Sequence, residues 1–205
     1  MTASSLPAAR CLPAAADATV LWVVRHGETE ENVAGILQGH LPGHLTPRGI
    51  AQAQHLAVRL QGIPFSACYV SDLARTVATA RLLEPVVGCV PMLTPLLRER
   101  DWGSLTGRKI AEVRDSVFPD DVEAVEAMAA RARDFVVHLL THHRGATVLA
   151  VTHGLFARCL RATLTGRAIR DIPRMGNAEA CRLVLGPDAL SLPSAVTEEM
   201  PAAAE

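Results

Sequence analysis

The stretch VLWVVRHGETEEN, residues 20–32, runs five apolar residues straight into Arg25-His26-Gly27. Farther along, ATVLAVTHGL, residues 146–155, repeats the arrangement: an apolar run, then Thr152-His153-Gly154. Short continuous apolar runs bounded by glycine read as buried strands. Each strand delivers a histidine at the point where it leaves the core, and this shared ending decides how the rest of the chain is read.

Helix-like and strand-like segments alternate around the two runs. LTPRGIAQAQHLAVRLQG, residues 45–62, reads as a helix with Thr46 as N-cap, Pro47 at the first helical position and Gly62 just past the end. Ile50, Ala53, Ala57 and Leu60 recur on one of its faces. Residues 67–70 form a strand, and 71–83 a helix capped by Ser71 or Asp72. Residues 89–93 are a short strand, 122–140 a long amphipathic helix, 147–151 a strand, 154–166 a helix and 179–185 a last strand. This alternation predicts an α/β fold: a three-layer, open, mostly parallel sheet flanked by helices. In such sheets ligands bind outside the carboxyl ends of the strands. Both histidines leave their strands at that edge, so the two endings can face one crevice.

The bulk composition narrows the partners. The 205 residues are 49% hydrophobic and 20% charged, with a net charge of −1. That predicts one globular domain, burying roughly 70% of its unfolded surface, with no basic field for nucleic acid and no polybasic patch for a membrane. No apolar run reaches the roughly 18–20 residues of a membrane span. The Ala/Pro-rich residues 1–18 read as a disordered leader, 19–190 as the catalytic domain and 191–205 as a flexible tail. Cys11, Cys68, Cys89, Cys159 and Cys181 are odd in number and contain no CxxC pair. Reduced thiols in a cytoplasmic protein fit them, with the last four as core filler.

Four segments carry groups suited to phosphate chemistry. A glycine directly after His26 permits close backbone approach by a ligand, and a guanidinium at a sheet crevice suits a planar oxyanion. Arg75 falls in the first turn of its helix, where the dipole disfavours a cation. It is either a solvated surface residue or a partner to an anion shared with the helix N-terminus. In LRERDWGSLTG, residues 97–107, an extended backbone points Glu99 and Asp101 to one side, Arg98 and Arg100 to the other. A carboxyl beside a bound dianion holds its proton more tightly and can donate it. His153 followed by Gly154 again offers backbone N–H groups to an anion.

RHGET at 25–29 with Asn32, LQG at 37–39, LTPRG at 45–49, SDLARTVATA at 71–80, LRERDWGSLTG at 97–107 and VTHG at 151–154 resemble the histidine phosphatase superfamily, the phosphoglycerate-mutase-like clan, in order and over nearly the whole chain. The resemblance implies a phosphoric monoester hydrolase of the branch with the RHG motif. It implies His26 as the nucleophile that becomes phosphohistidine and Arg25, Arg75 and His153 as the phosphate pocket. Glu99 is implied as general acid and then base, with Asn32, Gln38 and Gly154 contacting phosphate or substrate. It implies no cofactor and no metal. The expected partner is a small phosphorylated metabolite, such as an α-ribazole-phosphate-like or sugar-phosphate ester. A homodimer is the assembly to test.

The pattern departs from relatives in one loop. Ile36, Pro42 and His44 stand where relatives often carry Arg, Asp and Pro, so specificity does not transfer through HLPGH. Pro42-Gly43 breaks the helical i, i+4 geometry that a metal shared by His40 and His44 needs. His142-His143-Arg144 reads as a helix end whose cations suit the dipole. From Glu99 to His153 is 153 − 99 = 54 positions, shorter than the corresponding stretch of classical mutases, which enclose a bisphosphorylated intermediate. A hydrolase is therefore expected over a primer-dependent phosphoglycerate mutase. A protein phosphohistidine phosphatase and a binding-only module are the other readings.

Overall fold

A computed structural model describes residues 17–200, and within them six strands form one sheet. These are β1 (Thr19–Arg25), β2 (Ala67–Ser71), β3 (Pro91–Thr94), β4 (Thr147–Thr152), β5 (Ala180–Leu185) and β6 (Val196–Glu199), in the spatial order β3-β2-β4-β1-β5-β6. β3, β2, β4 and β1 run parallel, β5 lies antiparallel to β1, and β6 antiparallel to β5. The leader expected over 1–18 falls, except for its last two residues, outside the described residues.

Among the described residues six α-helices accompany the sheet: α1 (Glu30–Val33), α2 (Pro47–Leu60), α3 (Ala74–Val87), α4 (Ile110–Val113), α5 (Val125–His142) and α6 (Gly154–Thr165). One face of the sheet packs on α5 and α6 through Phe135, Val136, Leu139, Phe156, Leu160 and Leu164. The other packs on α2 and α3 through Leu56, Leu60, Ala80 and Leu83. The central strands β1 and β4 are covered on both faces, which explains why they read as unbroken apolar runs. They pair level, Arg25 opposite Thr152, and the His26 N–H continues the ladder to the Thr152 carbonyl at 3.0 Å. Two histidines far apart in sequence therefore emerge side by side.

α2 begins as its sequence predicts, with the Thr46 hydroxyl accepting from the Gly49 N–H and Pro47 at the first position. Its buried face differs by one residue: Leu56 is in the core and Ile50 is exposed. The cause lies at Gly49, whose Cα abuts the RHGE turn so closely that a Cβ would stand 2.1 Å from the Glu28 carbonyl oxygen. That contact turns Ile50 outward. It also corrects the reading of Gly27, because what approaches Gly27 is backbone from Gly49.

α3 is not capped by Ser71 or Asp72. Its N-cap is Leu73, with no side-chain cap, because Ser71 is engaged by His153 and Asp72 holds Arg98 in a two-point ion pair. α5 starts at Val125 rather than 122, since Glu123 is drawn into a salt bridge with Arg131 and its N–H bonds to the Asp101 carbonyl. His143 ends α5 as expected for the helix end, and its ring reaches the Tyr69 hydroxyl at 2.8 Å. Of the tail expected over 191–205, the described residues end at 200, and within them Val196–Glu199 add the edge strand β6 in place of flexible chain; residues 201–205 lie outside the described residues. Glu198 pairs with the buried Arg161 and Glu199 with Arg182, which ties the strand down. Cys68, Cys159 and Cys181 are buried free thiols, Cys89 a partly buried one. Burial pushes Cys68 and Cys181 up to about 12, in keeping with inert core filler. No helix among the described residues is long and apolar enough to cross a membrane.

Candidate active site

At the carboxyl ends of β1, β4 and β2 lies a cavity of about 350 Å³. Seven of the eight predicted site residues line it: Arg25, His26, Asn32, Gln38, Arg75, Glu99 and Gly154. The eighth, His153, lies directly behind them, fully buried, its ring 5.2 Å from that of His26 and edge-on to it.

The histidines differ in what they offer. His26 Nδ1 is 2.7 Å from the carbonyl oxygen of Gly27, which only accepts, so Nδ1 carries the proton and Nε2 the lone pair. Nε2 has no partner among the described residues. Burial first, then Arg75 and Arg25, holds the imidazole well below its ordinary range, so His26 is neutral at pH 7. His153 has both nitrogens engaged: Nδ1 accepts from Arg75 Nε at 3.1 Å, which leaves Nε2–H to donate to Ser71 Oγ at 2.8 Å. It too is depressed well below the usual range, by burial and then by Arg75 and His26.

Arg75 is not a solvated surface residue: it is 1% exposed. Besides His153, its guanidinium donates to the Leu41 carbonyl at 2.6 Å and the Gly39 carbonyl at 2.8 Å. Burial pulls it down to about 10, against the raising influence of Glu99, and it remains a cation at neutral pH. The divergent HLPGH loop thus acts as a cradle for Arg75. His40 from the same loop meets the Glu99 carbonyl at 3.0 Å, while His44 holds the Glu30 N–H through its backbone carbonyl. Arg25 donates Nη1 to the Met175 carbonyl at 2.7 Å, but its buried Nε has no partner among the described residues. Gln38 Oε1 is likewise buried and unpartnered. An unsatisfied buried donor costs roughly 1–3 kcal/mol, and an anionic acceptor is the partner type that such a guanidinium N–H lacks.

Glu99 and Asp101 separate. Asp101 turns away to His40 at 3.7 Å and to the Gly103 N–H. Glu99 faces the cavity and is oriented by three backbone donors: Oε1 accepts from Phe156 and Arg100, Oε2 from Leu155 alone. Oε2 therefore keeps a lone pair free for a proton. Gly154 opens α6 beneath Arg25, where a Cβ would lie 3.2 Å from Arg25 Nε. Asn32 lines the cavity, but its Oδ1 accepts from the Thr29 N–H, closing a capping box on α1, and from Asn177.

Sequence reasoning missed Asn177, Arg158, Arg174 and the wall formed by Trp102, Ile110 and Met175. Asn177 Nδ2 donates to the His26 carbonyl at 3.3 Å and to Asn32 Oδ1 at 3.0 Å. The available signal is the direction of β5: residues preceding an antiparallel strand reach the same sheet edge as residues following its parallel neighbours.

A neutral imidazole with a free lone pair, flanked by the buried Arg75 and the half-buried Arg25 and faced by a carboxylate at a parallel-sheet edge, has the groups that phosphoryl transfer needs. Residues 21–192 match the profile of the histidine phosphatase superfamily (branch 1), and the chain belongs to that family. The adenosylcobalamin/alpha-ribazole phosphatase of Escherichia coli K12 is 31% identical over 160 residues, 71% of this chain and 79% of that protein. An Enterobacter sp. protein named "Probable phosphoglycerate mutase" is 31% identical over 161 residues, 71% of this chain and 74% of its own length. Among solved structures, a mycobacterial glucosyl-3-phosphoglycerate phosphatase superposes with a TM-score of 0.76 at 27% identity, covering 89% of this chain and 97% of that one.

Proposed function

We propose that the protein is a phosphatase that hydrolyses phosphate monoesters of small metabolites through a phosphohistidine on His26, with no metal in the reaction. The observation that carries this reading is the free Nε2 lone pair of a neutral, immobilised His26 placed between Arg25 and Arg75. Nε2 attacks phosphorus, an N–P bond forms and the ester P–O bond breaks. Glu99 gives its proton to the departing alkoxide, which leaves as the alcohol. Glu99 then takes a proton from water as the water oxygen attacks phosphorus, and the N–P bond breaks to release phosphate and neutral His26. Arg25 and Arg75 stabilise charge on the transferring group, an effect of about 10²–10³ per donor in comparable sites. His153 acts from behind as the group that positions Arg75. The buried free thiols suit a reducing, cytoplasmic compartment.

The test uses purified protein in EDTA with aryl and alkyl phosphates, beside His26→Ala. Phosphate release by the wild type, with label from a ³²P ester trapped on His26 under alkaline quench, is expected. Turnover that survives in His26→Ala, or that strictly requires a divalent ion, overturns the mechanism. The relative named as a mutase motivates a second channel. 3-Phosphoglycerate with a bisphosphorylated primer, giving isomer without free phosphate, would make this chain a mutase. Faster dephosphorylation of a phosphohistidine protein than of small esters would redirect the substrate class. Alkyl esters should lose about 10²–10⁴ in Glu99→Gln and aryl esters much less, since their leaving groups need little protonation.

A further inference from the structure

IRDIPRMGN, residues 169–177, crosses the mouth of the cavity between α6 and β5. Three arginines fasten its backbone: Arg158 Nε to the Ile172 carbonyl at 3.0 Å, Arg161 Nη1 to that of Pro173 at 2.8 Å, and Arg25 Nη1 to that of Met175 at 2.7 Å. Ile172 and Met175 are each 1% exposed, so the exposed pair Pro173-Arg174 sits between two inward anchors. The Arg174 side chain lines the cavity. No carboxylate or carbonyl among the described residues partners it.

The cations of the cavity are not evenly paired. Arg25, Arg75, Arg158 and Arg174 line it beside the carboxylate of Glu99. Glu99 acts on both Arg25 and Arg75, with Glu31 acting on Arg75 and Glu179 on Arg25. Arg158 and Arg174 have no carboxylate partner among the described residues, and Arg158 is held by backbone carbonyls, which leaves Arg174 as the free guanidinium of the lining. Burial, and after it the neighbouring Arg174, lowers the pKa of Arg158, as expected where guanidiniums crowd without a counter-charge. The wall opposite is apolar, formed by Ile36, Leu37, Trp102, Ile110 and Leu155.

We propose that Arg174 is a specificity residue that binds a second anionic group, a carboxylate or a further phosphate, on the same ester whose phosphoryl group sits at His26; the inference rests on the phosphatase reading above. The fastened loop fixes the Arg174 backbone at the lining, and its guanidinium is free to meet the second group. The preferred substrate is then a compact phosphate ester with two anionic ends and an apolar flank.

Two matched pairs test this. 3-Phosphoglycerate and glycerol 3-phosphate share three carbons and differ by carboxylate against hydroxymethyl; 1,3-propanediol bisphosphate and propyl phosphate differ by the second phosphate. Wild-type kcat/KM should favour the doubly anionic member of at least one pair by about 10- to 100-fold, the range of a charge-assisted contact. Arg174→Gln should erase most of that ratio, chiefly through KM, and Arg174→Lys should keep most of it. The pair whose ratio collapses names the second group. No preference in the wild type, or the same preference in Arg174→Gln, overturns the proposal. Titration calorimetry of the same four compounds on wild type and Arg174→Gln separates the two readings. Charge-dependent binding through Arg174 without hydrolysis removes the phosphatase reading and keeps this one; binding that ignores both the second charge and Arg174 removes this one.

Discussion

Arg25-His26-Gly27 and Thr152-His153-Gly154 look interchangeable in sequence, and their positions on β1 and β4 are level. Their environments are opposite. His26 is fixed by its neighbour's carbonyl and presents a free nitrogen to the cavity. His153 spends both nitrogens on groups about eighty positions away in the chain, Ser71 and Arg75. The glycines diverge as well: Gly27 makes room for the backbone of Gly49, Gly154 for the side chain of Arg25. A strand-end His-Gly therefore supplies only placement. Whether the imidazole reacts or positions another group is set by what the rest of the fold brings to its nitrogens.

The sharpest way to break this contrast is to remove each ring. His26→Ala should lower phosphate release by about 10⁴–10⁶, as loss of a nucleophile does elsewhere, whereas His153→Ala should lower it by only about 10²–10³ through disturbance of Arg75. Equal losses in steady-state assays would show that both histidines act directly. The glycines come next. Gly154→Ala crowds a flexible guanidinium and should cut kcat/KM by about tenfold with little change in unfolding midpoint, since a misplacement of about 1 Å in a positioning group is costly. Gly27→Ala meets backbone at 2.5 Å and should cost about 1–3 kcal/mol in urea unfolding. If the two effects are exchanged, the assignment of the two turns is wrong.

Ser71→Ala leaves the buried His153 Nε2–H without its acceptor, a loss of about 1–3 kcal/mol. A pKa of His153 unchanged by NMR titration in that variant would argue that Ser71 does not orient the ring. The smallest effect is on pH. Both histidines have native pKa values depressed below the unfolded value of about 6.5. At higher pH neither form takes up a proton. As pH falls below about 6.5 the unfolded chain binds protons that the native site refuses, so stability declines by up to about 1.4 kcal/mol per pH unit for each ring. His153→Gln should show a shallower acid decline than wild type between pH 6.5 and 5, and an identical slope would count against a neutral, buried His153.

Much of the site is legible in sequence because its parts are local. A strand, its terminal His and the following glycine come as one segment, and Thr46-Pro47 announces α2 directly. Arg75 is less legible, because its burial depends on the carbonyls of Gly39 and Leu41 in a loop that carries no regular pattern. The residues alone leave Glu99 and Asp101 alike, and the family resemblance singles out Glu99; the physical difference is that the N–H groups of α6 hold Glu99. Asn177 and Arg174 are less legible because they precede their strand: β5 is antiparallel to β1 and enters the same edge by its beginning. β6 is not legible because two consecutive glutamates read as solvated, while the buried guanidiniums of Arg161 and Arg182 give both of them partners.

The pairing with Arg161 has a consequence for stability. Arg161 is 1% exposed in the middle of α6, and its carboxylate partner lies 37 positions later. With β6 in place, removing the carboxylate alone leaves a buried cation without its counter-charge, a defect of about 3–5 kcal/mol. The last strand thus ties the sheet edge to the helix whose first turn holds Glu99, and Glu198→Gln should lower the urea unfolding midpoint without touching the cavity.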